Sequence, residues 1–117
     1  MNAMKLVTAI IKTSRLDPVL DALQAAGISG LTVTEVRGFG RQRGKTEVYR
    51  GAEYEVRLLP KVKIEIVAAT EQVERITDLI AEAAKTGKIG DGKIWVCELD
   101  AVVRIRTGET DRAAVDS

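Results

Sequence analysis

The sequence of 117 residues contains no histidine, and this absence restricts the chemistry available to the protein. Histidine is the side chain most often used as a general base near neutral pH, and it is the commonest metal ligand. A catalytic site would have to be built from carboxylates, lysines or tyrosines alone. The composition therefore disfavours an enzyme without excluding one.

Cysteine and long apolar segments are also scarce. Cys97 is the only cysteine, so the chain cannot form an intrachain disulfide, and a zinc site built on cysteines is excluded. No segment approaches the roughly 20 apolar residues of a membrane-spanning helix, and the first residues lack a signal-peptide pattern. We therefore expect a cytoplasmic protein.

The sequence has few aromatic residues and almost no net charge. It contains one Phe, one Trp and two Tyr, and its 18 basic and 17 acidic residues leave a net charge of +1. A nucleic-acid module would need a basic face, and an RNA-binding sheet would need exposed aromatic side chains. Neither is indicated, and the length fits a single domain over residues 1–117.

The first half of the chain has the pattern of a strand, a helix and a second strand. Residues 4–12 form an apolar run with β-branched members, which predicts a buried strand. Apolar residues then recur at positions i, i+3, i+4 and i+7 from Leu16, as in an amphipathic helix. Ser14, followed three residues later by an aspartate, resembles a capping box, and Gly27 is a plausible end of the helix. Alternation over residues 31–36 predicts the second strand.

The second half repeats this order. Apolar and charged residues alternate over residues 62–66, a helix is predicted from Thr70 to Gly87, and residues 93–97 form another apolar strand. Residues 101–106 are predicted to add a short fifth strand. Two successive β-α-β units predict an α+β fold of the ferredoxin-like type, a four-stranded antiparallel sheet with both helices on one face.

Between the two halves lies a long segment, residues 37–61, that has no sustained amphipathic period and is predicted to lack regular structure. Loops longer than about 12–15 residues are uncommon in compact domains and are usually functional or disordered. Tyr49 and Tyr54 flank Arg50 at short distance, and Tyr and Arg are enriched at binding hot spots. A contact surface is favoured over a tolerated hairpin extension.

One part of this segment superficially resembles a nucleotide-binding phosphate loop. Gly44, Lys45 and Thr46 fit the end of that motif, but its first glycine would fall at position 39, which is Phe39. No helix pattern follows to place a helix N-terminus against a phosphate. A phosphate-loop ATPase is therefore not predicted.

Two other clusters suggest an anion site. Gly87, Gly90 and Gly92 follow the second helix closely and could form a backbone nest for an anion, although an ordinary helix-to-strand connection is the alternative. Arg104 and Arg106 would point from one face of the predicted fifth strand, unless they are simply solvated charges at a sheet edge. Together they suggest a di- or triphosphate, because arginine binds phosphate in bidentate fashion.

Four segments resemble the PII nitrogen-regulatory signal transduction family, in the family's order and at its spacing. They are TEVRGFGRQRGKTEVYRGAEYEV, LPKVKIEIV, TGKIGDGKIWV and VVRIRTGE, and the resemblance covers nearly the whole chain from Met4. It implies a homotrimer of ferredoxin-like subunits with one nucleotide cleft at each subunit boundary. The long segment at about 37–61 is similar to the family's T-loop, residues at about 85–93 to its B-loop, and residues at about 105–117 to its C-terminal loop.

The resemblance also implies ligands and the residues that contact them. ATP, ADP, Mg²⁺ and 2-oxoglutarate would be effectors, and no catalytic cofactor is implied. The nucleotide site would draw on all three loops: Ile10, Thr32, Gly38, Gly40, Arg41, Gln42, Lys61, Ile89, Gly90, Gly92, Lys93, Arg104 and Arg106. The last two would reach the phosphates from the neighbouring subunit. The 2-oxoglutarate site would comprise Gln42, Arg43, Gly44, Lys61 and Gly90, with Gln42 as the magnesium ligand.

The implied output is regulation of nitrogen assimilation rather than catalysis. Arg50 matches the arginine that plugs an ammonium channel, and Tyr54 matches a tyrosine that many bacterial members nucleotidylate. The expected partners are an ammonium transporter or another nitrogen-metabolism protein and a nucleotidylyltransferase, with the inner membrane reached only through a transporter. The alternative is a PII-like regulator with a different effector or target. The sequence departs from most members at Thr13-Ser14 and at Trp95, and Trp95 is interpreted as core or interface packing.

Overall fold

The structure is a computed structural model that describes residues 3–39, 46–49, 52–55 and 58–115. Its elements in chain order are β1 (Met4–Lys12), α1 (Leu16–Ala25), β2 (Leu31–Gly38), β3 (Thr46–Tyr49), β4 (Ala52–Glu55), β5 (Leu59–Ala69), α2 (Val73–Ala84), β6 (Gly92–Glu98) and α3 (Arg112–Val115). Short 3₁₀ turns, Thr13–Arg15 and Thr70–Gln72, precede the two long helices.

The main sheet has four strands in the order β2-β5-β1-β6, and every neighbouring pair is antiparallel. Helices α1 and α2 pack against each other and bury one apolar stripe each against the sheet. This arrangement confirms the predicted ferredoxin-like sandwich. The two β-α-β halves interleave, so the first and second halves of the chain alternate across the sheet.

The core lies between the helices and one face of the sheet. Its centre is formed by residues that alternate along β1 and β5 and by the inward faces of the two helices: Val7, Ala9, Ile11, Val19, Leu23, Val62, Ile64, Ile66, Ile76 and Ile80. The predicted alternation over residues 62–66 is confirmed, since Lys63 and Glu65 lie on the opposite face and remain partly exposed. That opposite face also carries Trp95, which pairs with Thr8 and is 44% exposed. Trp95 is therefore not a core residue of this chain.

The ends of helix α1 show one correct and one wrong prediction. Gly27 has a φ of +79°, and the backbone N–H groups of Gly27 and Ile28 donate to the carbonyls of Gln24 and Leu23 at 3.0 and 2.9 Å. This is a Schellman end, so Gly27 terminates the helix as predicted. The predicted capping box at Ser14 is wrong. Arg15 takes the N-cap position without a side-chain cap, because Ser14 lies inside the preceding 3₁₀ turn.

Helix α2 is shorter than predicted at both ends. Thr70 opens a 3₁₀ turn, and the α-helix itself runs only from Val73 to Ala84. Lys85 is already extended, with φ −68° and ψ 127°. Gly87 therefore does not end the helix but belongs to the following turn, where its φ is +82°.

Two further corrections concern regions outside the sandwich. The segment 37–61 is not devoid of regular structure, because β3 and β4 pair as an antiparallel hairpin and β5 begins at Leu59. The predicted fifth strand over residues 101–106 is wrong. The region contains a single bridge between Val103 and Thr110, followed at Ile105 by a turn. Apolar and basic residues alternate in this segment, but the segment does not pair with an edge strand of the main sheet.

Candidate functional site: a glycine-lined cleft

A cleft of about 520 Å³ lies where the end of β2, the start of β5 and the glycine-rich turn before β6 meet. Its lining combines apolar side chains, glycines and two lysines: Ile10, Gly38, Phe39, Leu59, Lys61, Ile89, Gly90, Asp91, Gly92, Lys93 and Trp95. Seven of these were predicted as nucleotide-site residues from the sequence. The structure therefore brings together residues that are more than 80 positions apart, from Ile10 to Lys93.

The turn between α2 and β6 owes its shape to glycine. Gly87, Gly90 and Gly92 all have positive φ, a conformation that side chains with a Cβ rarely adopt. At Gly92 the requirement is absolute in steric terms, because an added Cβ would lie 1.7 Å from the carbonyl oxygen of Ile10. Gly92 pairs with Ile11 at the start of β6, so the absence of a side chain lets the turn approach β1 closely.

Asp91 stabilises this turn from inside. Its Oδ2 accepts hydrogen bonds from the backbone N–H groups of Thr86 and Gly87, both at 2.9 Å, and its Oδ1 accepts one from the Thr86 hydroxyl. The Lys12 ammonium lies 3.3 Å from the same carboxylate. The hydrogen bonds from Thr86, with those from Gly87 and Lys12, hold the pKa of Asp91 well below its usual range. The carboxylate is therefore ionised throughout the physiological range.

Lys61 connects the base of the long segment to the glycine turn. It lies on β5 two residues after Leu59, and its Nζ donates a hydrogen bond of 2.8 Å to the carbonyl oxygen of Gly90. Burial lowers the pKa of Lys61 from the ordinary lysine value of 10.5, the nearby Lys12 ammonium lowers it further, and Asp91 acts in the opposite direction. Lys61 also lines the cleft, where a lysine side chain can bind an anion.

Comparisons with known proteins agree with this architecture. The model of the family described as nitrogen regulatory protein P-II matches residues 4–109. Nitrogen regulatory protein GlnK of Escherichia coli (strain K12) is 61% identical over 112 residues, which are 96% of this chain and 100% of that protein. Nitrogen regulatory protein P-II of Rhizobium etli is 62% identical over the same shares of both chains.

The chain belongs to the PII family. It is thus similar to proteins that are named for nitrogen regulation. A solved structure supports the fold as well: the crystal structure of Arabidopsis thaliana PII bound to citrate matches with a TM-score of 0.80 and 40% identity, covering 97% of this chain and 92% of that one.

The cleft contains four residues that the sequence analysis did not assign to the site: Phe39, Leu59, Asp91 and Trp95. For two of them, the sequence contained a feature that could have placed them at the site. Asp91 stands between two glycines of the turn, and Trp95 follows Lys93 at the two-residue spacing that puts both on one face of β6. Phe39 and Leu59 had no such feature, because Phe39 lies just after the end of β2 and Leu59 begins β5, and the sequence pattern defined neither boundary.

Three predicted residues are described by the structure but lie outside this cleft. Thr32 is exposed on edge strand β2 and pairs with Glu65. Arg104 donates from Nη2 to the carbonyl oxygen of Ala114 at 2.7 Å and lies 3.4 Å from the Glu109 carboxylate. Arg106 is exposed in the turn after it. The prediction that Arg104 and Arg106 point from one face of a strand is wrong, since residues 101–106 form no strand.

The remaining predicted residues cannot be placed. Gly40, Arg41, Gln42, Arg43, Gly44 and Arg50 lie outside the described residues, and for Tyr54 the structure describes only its position in β4. Within the described part of the chain, no cluster of three or more acidic or cysteine side chains could hold a metal ion. The magnesium ligand predicted at Gln42 is not tested by that observation. None of the described helices is long and apolar enough to cross a membrane.

Proposed function

We propose that this PII protein is a homotrimeric sensor of ATP, ADP and 2-oxoglutarate that regulates nitrogen assimilation through its T-loop. The observation that carries the proposal is the hydrogen bond from Lys61 to the Gly90 carbonyl. It joins the base of the T-loop to the glycine turn at the wall of a cleft large enough for a nucleotide. A ligand that engages either group changes the contact between the two loops.

The lining of the cleft suits a nucleotide. Ile10, Leu59 and Ile89 supply apolar walls for a base, and the glycine turn with Lys93 offers backbone N–H groups and positive charge for phosphates. Thr32 would close the base pocket from the edge of the sheet. Gly40, Arg41 and Gln42 would complete the phosphate site from the T-loop.

The position of Lys61 supports 2-oxoglutarate as the second effector. A carboxylate that reached its ammonium would compete with the Gly90 carbonyl, so dicarboxylate binding and the position of the turn are linked. Mg²⁺ prefers oxygen ligands and commonly shares its shell with phosphates. Gln42 would hold the ion together with ATP, and Arg43, Gly44 and Lys61 would bind 2-oxoglutarate beside it. The Arabidopsis relative solved with citrate is a precedent for a small carboxylate in this family.

A trimer is proposed because the cleft is incomplete in one chain. None of the described arginines lines it. Arg104 and Arg106 would come from the neighbouring subunit, which requires Arg104 to exchange the Ala114 carbonyl for a phosphate oxygen. The exposed Trp95 on the helix-free side of the sheet supplies apolar surface for such an interface.

Partner binding would be controlled by the T-loop. The populations of its conformations would depend on the bound ligand. Arg50 would plug an ammonium transporter, and nucleotidylation of Tyr54 by a nucleotidylyltransferase would block that contact. We propose a cytoplasmic protein that reaches the inner membrane only through the transporter, without enzymatic activity of its own. The second candidate, a PII-like regulator with another effector or target, would retain the cleft but not the requirement for 2-oxoglutarate.

Calorimetric titration tests the proposal. We expect 2-oxoglutarate to bind measurably when ATP and Mg²⁺ are present, and to bind little with ADP or without the metal. Lys61→Met should weaken 2-oxoglutarate binding at least tenfold, roughly the loss of one charge-assisted hydrogen bond. Lys5→Met is the matched control, because Lys5 forms a surface ion pair with Glu98 at the far end of β1. Tight binding of 2-oxoglutarate to nucleotide-free protein would contradict the ordered mechanism, and no binding under any condition would favour the second candidate.

A further inference from the structure

Two basic side chains reach from the β1–α1 junction to the connection between α2 and β6. Lys12, the last residue of β1, donates from Nζ to the Thr86 hydroxyl at 3.1 Å and pairs with Asp91 at 3.3 Å. Arg15, three residues later, donates from Nε and Nη2 to the Ala83 carbonyl oxygen at 3.0 and 2.7 Å. The end of α2 and the glycine turn are thus tied to the β1–α1 junction by side chains that do not line the cleft.

The contacts at Thr86 form a connected network rather than separate bonds. Its hydroxyl donates to Asp91 and accepts from Lys12 and from the backbone N–H of Lys88 at 3.2 Å. Asp91 in turn accepts from the backbone N–H groups of Thr86 and Gly87. One hydroxyl and one carboxylate therefore bind the backbone N–H groups of three successive residues, Thr86 to Lys88, and Lys12 joins the same network to β1. A hydrogen-bond network of this kind makes the turn more rigid than separate bonds would.

The network is coupled in space to the residue that faces the ligand. Lys12 and Lys61 are directly paired residues of β1 and β5, and Gly90, whose carbonyl accepts from Lys61, precedes Asp91. The Lys12 and Asp91 side chains are only 19% and 26% exposed. Their charges therefore act on Lys61 with limited screening by solvent.

We infer that Lys12, Thr86 and Asp91 form a positioning network that sets the shape of the glycine turn for phosphate binding and, through Gly90, the position of Lys61. Lys12 and Thr86 do not line the cleft, so they act through the turn. The inference rests on the proposed nucleotide site. It assigns to the β1–α1 junction a role in ligand affinity that the lining residues alone would not indicate.

Substitution of the Thr86 hydroxyl gives the cleanest test. Thr86→Val keeps the shape of the side chain and removes the hydroxyl, and Thr86→Ser keeps the hydroxyl. We expect Thr86→Val to weaken ADP binding about tenfold, comparable to the loss of a connected hydrogen bond, and Thr86→Ser to restore most of the affinity. Amide hydrogen exchange at Gly87 should accelerate in Thr86→Val only. Melting temperatures should be similar, because Thr86 is exposed and outside the core.

A second pair of variants tests Lys12, the positively charged residue of the network. Lys12→Met keeps the aliphatic stem and removes the ammonium that contacts Thr86 and Asp91. Lys5→Met makes the same change at the other end of the same strand, where the ion pair with Glu98 is remote from the turn. Calorimetry should show weaker ADP binding for Lys12→Met and parental affinity for Lys5→Met.

The outcomes separate this inference from the proposed function. If the parent protein does not bind ADP, the proposed nucleotide site itself is contradicted. If the parent binds ADP and both Thr86→Val and Lys12→Met bind it equally well, the positioning network is contradicted and the nucleotide site stands. Loss of affinity in Thr86→Ser as large as in Thr86→Val would also overturn the inference, because the hydroxyl would then not be the active group.

Discussion

Gly92 shows at the scale of one residue why the cleft has its shape. Its φ is +104°, and the space for a Cβ is occupied by the backbone of Ile10. We expect Gly92→Ala to lower the free energy of unfolding by about 2–4 kcal/mol, because the strained φ and the collision with a backbone that cannot move both act against the fold. Chemical denaturation of the purified variant measures this loss.

Gly30→Ala is the matched control for that prediction. Gly30 has a comparable φ of +74°, but nothing lies within 4 Å of an added Cβ. Its substitution should therefore show the backbone strain alone, about 1 kcal/mol. Equal losses for the two variants would mean that the close approach of Gly92 to Ile10 does not constrain the turn.

At single residues, the sequence indicated which glycines and lysines of a motif would lie together, but it did not indicate contacts made by the three-dimensional fold; the ligand roles of these residues stay predictions. Gly90, Gly92 and Lys93 lie in the cleft as expected, since glycines in a turn carry their own signature. Arg104 could not be predicted in the same way. Arg104 contacts the Ala114 carbonyl because the chain reverses direction between residues 104 and 114, and no local sequence pattern predicts that reversal.

At the scale of elements, periodicity was sufficient for the sandwich but not for the segments outside it. The strands β1 and β5 and the helices α1 and α2 each bury one regular face, and their order followed from that pattern. The hairpin β3–β4 was missed because the alternation along its short strands was not recognised among charged residues. The false strand over residues 101–106 shows the converse: alternation without a neighbouring sheet edge does not make a strand.

The T-loop is the element that is proposed to bind a partner protein. Arg50→Ala should abolish binding to an ammonium transporter, because truncating an arginine anchor can cost about 2 kcal/mol or more, roughly thirtyfold in affinity. Nucleotide affinity should be unchanged, since none of the described residues at the cleft is altered. Pull-down from membranes of the source organism compares the parent with the variant.

Nucleotidylated Tyr54 should block the same complex by adding bulk and charge on the neighbouring strand β4. Lys5→Met serves as the control, because it removes one positive charge from the sheet and leaves the T-loop intact. Undiminished transporter binding by both the Arg50→Ala and the nucleotidylated protein would show that the T-loop is not the contact surface.

In the whole molecule, the proposed function requires two subunits to build each site. Lys61 lies in the cleft of one chain, whereas Arg104 is held by Glu109 and Ala114 and does not line that chain's own cleft. A symmetric ring in which each chain supplies both surfaces is the simplest assembly that satisfies this requirement. Three chains of 12.7 kDa would have a mass of about 38 kDa by light scattering.

Mixed trimers test this shared site most directly. Trimers of Lys61→Met and trimers of Arg104→Ala should both bind 2-oxoglutarate at least tenfold more weakly than the parent at limiting ATP, because every site in them lacks one of the two residues. When the two variants are unfolded together and reassembled in equal amounts, about a quarter of the clefts should pair an intact Lys61 with an intact neighbouring Arg104. Calorimetry should then recover about a quarter of the parental 2-oxoglutarate sites. Recovery of none, from mixed trimers of the correct mass, would contradict a site built across the subunit boundary.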